Sequence, residues 1–342
     1  MSTLTRILLA LLLLAVLPPD VCRAAAGNSS PGRARRVLYV NSYHPGYAWS
    51  DREQSGAEAV LRAAGANLRV AYMDTKRKPG DGSARAAAER VLAEIEQFKP
   101  EVIIAADDNA QRWLVAPHLK NGPIPVVFCG VNWDADEYGY PTNFVTGMLE
   151  VEAVPTLVGH LRRYAAGNRI GFLADDSESE RKIFANYNRR FFDGRLAPYF
   201  VATLAQFKAA FLRAQEETDM VILDNNAAIA DWDDTEARNF VLQYGRKPSG
   251  ATMDYMAGYA LFTVSKVPEE QGQWAARKAL DILAGVPPMA IAVSWNEQSR
   301  LIVNLEIARA GGYVLPVSLL RAASEVIGGS QAARLLPAGG KP

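Results

Sequence analysis

"VLYVNSYHPGYAWSD", residues 37–51, begins as a strand and ends as something else. Val37 to Val40 are apolar and partly β-branched, with no polar alternation, the pattern of a strand buried on both faces. The run then breaks into Asn41, Ser42, Tyr43, His44, Tyr47 and Trp49, and a helical pattern starts at residue 51. A polar, aromatic strand end followed by a helix is what an open parallel α/β sheet shows at its carboxyl edge, where ligands bind.

The same rhythm recurs along the chain. Strands are expected at 37–42, 68–73, 102–106 and 125–131, with helices at 51–64, 83–98 and 109–119 between them. After a looped stretch, 134–143, it restarts with helix 151–165, strand 169–174, helix 178–193, strand 198–203, helix 204–217, strand 219–224, helix 232–244 and a strand near 250–254. Two such blocks predict an α/β protein of two doubly wound, Rossmann-like lobes.

The strand ends share a chemistry. The first block ends in Ser42, Tyr43 and His44, then Asp107, Asp108 and Asn109, then Asn132 and Trp133. The second block ends in Asp175, Ser177 and Ser179, then Asp224 and Asn225, then Asp254 and Tyr255. Asp, Asn and Ser after a strand are also ordinary helix caps, and for any one of them the two roles stand equal. Six strand ends with the same character predict a cleft between two rows of carboxylates, amides and rings.

Several function classes fall away. Arg6, the apolar run Ile7–Leu17 and the small residues Ala24 and Ala26 read as a secretory signal peptide over 1–26, followed by a linker over 27–36. Its removal takes Cys22 and leaves Cys129, in the apolar "IPVVFCGV", as the lone and inert thiol, so no disulfide framework exists. The 49% hydrophobic composition allows an ordinary core instead. A formal net charge of zero without long basic runs speaks against nucleic acid. No phosphate-binding glycine motif and no G-x-S-x-G elbow occurs, and His44, His118 and His160 lack ligand spacing; neither cofactor nor metal is expected. Asp107-Asp108 and Asp175-Asp176 resemble paired catalytic acids, but both open helices, where acids favour the dipole; no catalytic residues are assigned.

The C-terminal third carries the most specific pattern. A G-x-x-A-A-x-x-A-x-x-I-L-x-G-like helix spans Gly272 to Gly285, an Asn precedes an Ala-containing helix (Asn304, Ala308), and a proline-led ending spans Leu315 to Ala322. With "IPVVFCGVNWD" (124–134) and "NFVTGM" (143–148), these resemble exported solute-binding proteins of ABC transporters, in the family with tryptophan- and phenylalanine-binding members. The resemblance implies a type I periplasmic-binding-protein fold: a first lobe of 37–142 plus 260–288, a second of 143–259 plus 289–327, a loose tail from 328, and three hinge crossings near 143–147, 256–262 and 289–296. It implies a monomeric, periplasmic protein whose lobes close on a small-molecule ligand, a closed form then read by a membrane partner. That partner is an ABC permease–ATPase complex or, alternatively, a membrane histidine kinase or diguanylate cyclase. The absence of an output domain in this chain favours transport.

The cleft residues Tyr43, Tyr47, Trp49, Trp133 and Tyr255, with Asp107, Asp108, Asp175 and Asp224, suit an amphipathic molecule carrying an ammonium. Helix N-termini, Ser177 and Ser179 would hold a carboxylate. An amino acid or similar amine-acid is the expected ligand, with a carbohydrate second.

Overall fold

The computed structural model describes residues 34–329; the expected signal peptide, the linker up to residue 33 and the tail from 330 lie outside the described residues. From Arg36 the chain alternates β1 (Arg36–Asn41), α1 (Ala48–Ala63), β2 (Asn67–Tyr72), α2 (Asp81–Phe98) and β3 (Val102–Ala106). A short helix α3 (Asp107–Ala110) runs into π-helical turns over Gln111–Leu119 that contain Pro117, then β4 (Val126–Asn132) and β5 (Val145–Glu150) follow. The second block runs α4 (Val154–Leu161), β6 (Ile170–Asp175), α5 (Glu178–Phe191), β7 (Ala197–Val201), α6 (Leu204–Glu217), β8 (Met220–Leu223), α7 (Asp234–Tyr244), β9 (Ser249–Ala251) and β10 (Phe262–Lys266). The chain then makes α8 (Pro268–Leu283), β11 (Ser294–Trp295), β12 (Ser299–Asn304), α9 (Leu305–Gly311), α10 (Val317–Ala322) and β13 (Glu325–Ile327).

Two sheets result. The first is parallel in the order β11-β5-β4-β3-β1-β2; the second runs β13-β12-β10-β9-β8-β6-β7, with β10 and β12 its antiparallel pair. Alternation along β1 explains its unbroken apolar run. Val37 and Tyr39 face α1 and α8 with Ala57, Leu61, Ala275 and Ala276, while Leu38 and Val40 face α2 and the π-helical turns with Val91 and Leu114. Helices on both faces leave no side for polar residues.

The sheet pairing divides the lobes differently from the sequence reading. β5 pairs with β4, so the first lobe continues past 142 to about 150. The loop 134–143 is no boundary, because Tyr138 and Tyr140 pack into the first core. β10 pairs with β9 and β12, so the second lobe reaches Lys266 rather than 259, and β11 returns to the first sheet beside β5. The chain therefore crosses between sheets after Glu150, after Lys266 and after Trp295. Among the described residues no helix is long and apolar enough to cross a membrane.

Candidate functional site

In each sheet the strand order reverses at one place. β1 lies between β2 and β3, and β6 between β7 and β8, so crevices open between the carboxyl ends of β1 and β3 and of β6 and β8. Tyr43 and Asp107 flank the first crevice; Asp175 and Asp224 flank the second.

At the first crevice Asp107 is buried and adopts a left-handed backbone, φ +72°, which a β-carbon disfavours. Its Oδ1 accepts from the Tyr43 hydroxyl at 2.7 Å and from the Asp108 amide at 2.8 Å. Burial, with the nearby charges of Glu150 and Asp108, raises this carboxyl to about 7 in spite of the Tyr43 bond. Behind it lies Glu53, fully buried, with no hydrogen-bond partner on either oxygen among the described residues; burial pushes its carboxyl well up. A Cβ on Gly130, at φ +67°, would come within 2.9 Å of that carboxyl, so only glycine lets β4 pass Glu53.

A buried ion cluster sits where the chain changes sheet. Lys266 Nζ donates to Glu150 Oε1 at 2.6 Å and Glu152 Oε1 at 2.7 Å, with all three side chains no more than 9% exposed. Trp49 Nε1 reaches Glu150 Oε2 at 3.2 Å, and the Lys266 ammonium lies 5.2 Å from the Trp49 ring centroid. Burial pulls the lysine down, yet the two carboxylates overcome it and hold it above its ordinary value. The first two crossings are thus pinned to each other by charge.

At the second crevice, Asp224 Oδ1 accepts from Thr252 at 2.8 Å, and its carboxyl adjoins that of Glu180. Burial raises both, and their proximity raises Asp224 further. As two carboxylates they have no donor for one another; one proton between them makes a hydrogen bond. Asn225 donates to Glu180 Oε1 at 2.9 Å and accepts from the Tyr255 hydroxyl at 3.0 Å, so the half-exposed Tyr255 lies across the pair.

The other sequence-predicted residues have structural partners. Ser42 is fully buried, donates to the Ala106 carbonyl and accepts from the Ala110 amide, tying β1 to β3. Asp108 is held by Asn132 and Tyr138, and Asn109 by Thr75. Asp175 accepts from the amides of Ser177 and Ala228, and Ser177 caps α5 by accepting from the Glu180 amide. Trp133 packs on Tyr187 and Phe191 in the second core. Asp254 pairs with Arg300, and Ser179 is exposed. Tyr43, His44, Tyr47 and Trp49 stay half-buried at the first rim, His44 stacked 6.3 Å from Tyr47.

Glu53, Glu150, Glu152, Glu180 and Lys266 escaped the sequence reading. "LEVE" at 149–152 and "VSK" at 264–266 do place charge at strand ends, the signal used elsewhere. Glu180 lies one helical turn past a strand end, where a surface residue is the ordinary expectation. The sum is lopsided: among the described residues, Asp107, Glu150, Glu152, Asp175, Glu180 and Asp224 are buried carboxyls near the sheet edges, against one buried ammonium, that of Lys266. Among the described residues no group of three His, Cys, Asp or Glu is placed to hold a metal.

Two doubly wound lobes linked by three crossings, each with charged residues at its switch point, define the type I periplasmic-binding-protein class. Within it, the chain belongs to the ABC transporter substrate binding protein family, whose model matches residues 51–327. Its members bind substrate without transforming it, and the protein is accordingly a binding protein rather than an enzyme. Among solved structures it is similar to a ligand-free, open substrate-binding protein with adhesive properties from Clostridium difficile, at 16% identity and TM-score 0.65 over 86% of this chain and 99% of that one. A Streptococcus protein in complex with L-Trp matches at 16% identity and TM-score 0.53 over 86% and 100%, and a conserved domain protein from Vibrio cholerae at 18% and 0.53 over the same shares. No curated protein sequence matches the chain.

Proposed function

We propose that the protein is the exported, periplasmic receptor of an ABC importer, and that its solute carries a positively charged amine, an amino acid or similar amine-acid being the leading candidate. The excess of buried carboxyls over cations near the two switch points carries this reading. Such a cleft holds a potential that favours a cation and disfavours a dicarboxylate or phosphate. Asp107 and Tyr43 on one lobe and the Glu180–Asp224 pair on the other are the proposed ligand-side groups. A solute bridging them would favour the closed form by its differential affinity for it. The α5 N-terminus is available to a carboxylate on the same molecule. Family membership supports delivery to a permease.

A thermal-shift screen of the exported chain against amino acids, polyamines, sugars and dicarboxylates tests the proposal. A ligand at a hundred times its dissociation constant adds about 2.7 kcal/mol, a shift of several degrees. Stabilisation by an amine-bearing solute is expected. A shift confined to sugars or dicarboxylates would overturn the ligand class.

A further inference from the structure

At the first rim Tyr43 and Tyr47 meet edge to face, ring centroids 5.0 Å apart, and form a corner. Into that corner reaches Lys76, from the loop after β2; its Nζ lies 3.7 Å from the Tyr47 ring centroid and 4.6 Å from that of Tyr43. Lys76 is exposed and makes no ion pair among the described residues, whereas its neighbours Arg77 and Lys78 both pair with Asp74. Two ring faces attract an ammonium, and the attraction strengthens as water leaves. The Tyr43 hydroxyl is fixed by its bond to Asp107, so the corner is built before any ligand arrives. Asp107 Oδ2, on the carboxyl that holds the Tyr43 hydroxyl, accepts no hydrogen bond from the described residues.

We propose that the Tyr43–Tyr47 corner is the ammonium subsite of the cleft and that Lys76 is its internal occupant, displaced by the ammonium of the incoming solute. This rests on reading the cleft as the solute site, and it adds the recognition element and a built-in competitor. A bound cation exchanges one ring–cation contact for another, so Lys76 lowers affinity without altering the corner. It also screens weak cations: sodium, strongly hydrated and small, gains little from ring faces, whereas an alkylammonium gains more.

The probe is choline chloride, an ammonium with no carboxylate, titrated calorimetrically into the exported chain against a sodium chloride control. Lys76→Ala should bind choline about fivefold more tightly than wild type, the weight of one exposed cation–aromatic contact. Tyr47→Leu should lose binding in either background. A direct readout comes from 13C-methylation of the lysines: the Lys76 methyl resonance, assigned by its loss in Lys76→Arg, should lie upfield under the rings and return downfield on choline addition. Unchanged or weaker binding in Lys76→Ala, or a Lys76 resonance with no ring shift, overturns the proposal. If wild type and Lys76→Ala both ignore choline and amine-bearing solutes yet bind a sugar, the subsite fails while the solute-binding reading stands. If nothing in the panel binds, both fail.

Discussion

The backbone of Gly272 in α8 packs directly against the carbonyl of Glu53 in α1, so closely that a Cβ at Gly272 would overlap that oxygen. Gly56 of α1 is held against the Glu269 carbonyl in the same way. The two helices touch backbone to backbone, and this contact sets the position of Glu53 behind the first crevice.

Gly272→Ala is therefore expected to destabilise by about 1–3 kcal/mol, as overpacking without room to relax does. Gly82→Ala supplies the contrast: a Cβ there meets nothing within 4 Å, and the residue lies in α2. Removing its unfolded-state freedom should stabilise by roughly 0.5–1 kcal/mol. Urea unfolding of both variants would show shifts of opposite sign; equal shifts would contradict the close helix contact.

Asp107 makes stability depend on pH in a definite direction. Its folded value of about 7 exceeds the ordinary 3.8, so the folded state holds a proton that the unfolded chain releases. Stability should therefore fall as pH rises from about 4 to 7, by at most about 4 kcal/mol from this group. Asp107→Asn should flatten that slope, measured as unfolding midpoints between pH 5 and 8. A wild-type midpoint rising across this range would contradict the buried, raised carboxyl.

The fold was readable because its decisive features are local. Unbroken apolar runs such as Val37–Val40 report burial on both faces, and the polar residues after them report the carboxyl edge. Lobe membership was not local. β5 looks like the start of a second block because the loop before it is polar; its pairing with β4, with Tyr138 and Tyr140 packed into the first core, assigns it to the first. The proposed site divides likewise. Tyr43, Asp107 and Asp224 were visible as strand ends, but Ser42, Asp175 and Trp133 look the same in sequence and act as ties or core. Glu180 reaches Asp224 across 44 positions of chain, and Lys76 reaches Tyr47 from the loop after another strand; neither pairing leaves a mark in spacing.

Lys266 joins the two crossings through Glu150 and Glu152, and removing its charge leaves two buried carboxylates facing each other. Lys266→Met should cost about 3–5 kcal/mol at pH 7.5. The loss should shrink at pH 5, where Glu150, its carboxyl already raised by burial, can take a proton. Adding Glu152→Gln to Lys266→Met should recover part of the loss, because one of the repelling charges is gone. Chemical denaturation of the single and double variants at both pH values measures this, and a pH-independent loss with no rescue would assign Lys266 a packing role alone.

The Glu180–Asp224 pair ties stability to binding. At pH 7.5 the pair must either keep a shared proton or hold two charges together, and both options destabilise the folded state. Glu180→Gln supplies a permanent donor to Asp224 and removes one charge, so the free protein should gain about 1 kcal/mol at pH 7.5 and little near pH 4. If the closed cleft brings this pair to the ammonium seated in the Tyr43–Tyr47 corner, the same change removes part of its counter-charge. Affinity for the solute found in the screen should then fall at least tenfold while the protein becomes more stable, as should affinity in Asp107→Ala. Calorimetric titration of Glu180→Gln beside its melting curve separates the two effects. A more stable variant with undiminished affinity would put the bound ammonium out of reach of the second crevice and leave the pair a structural acid.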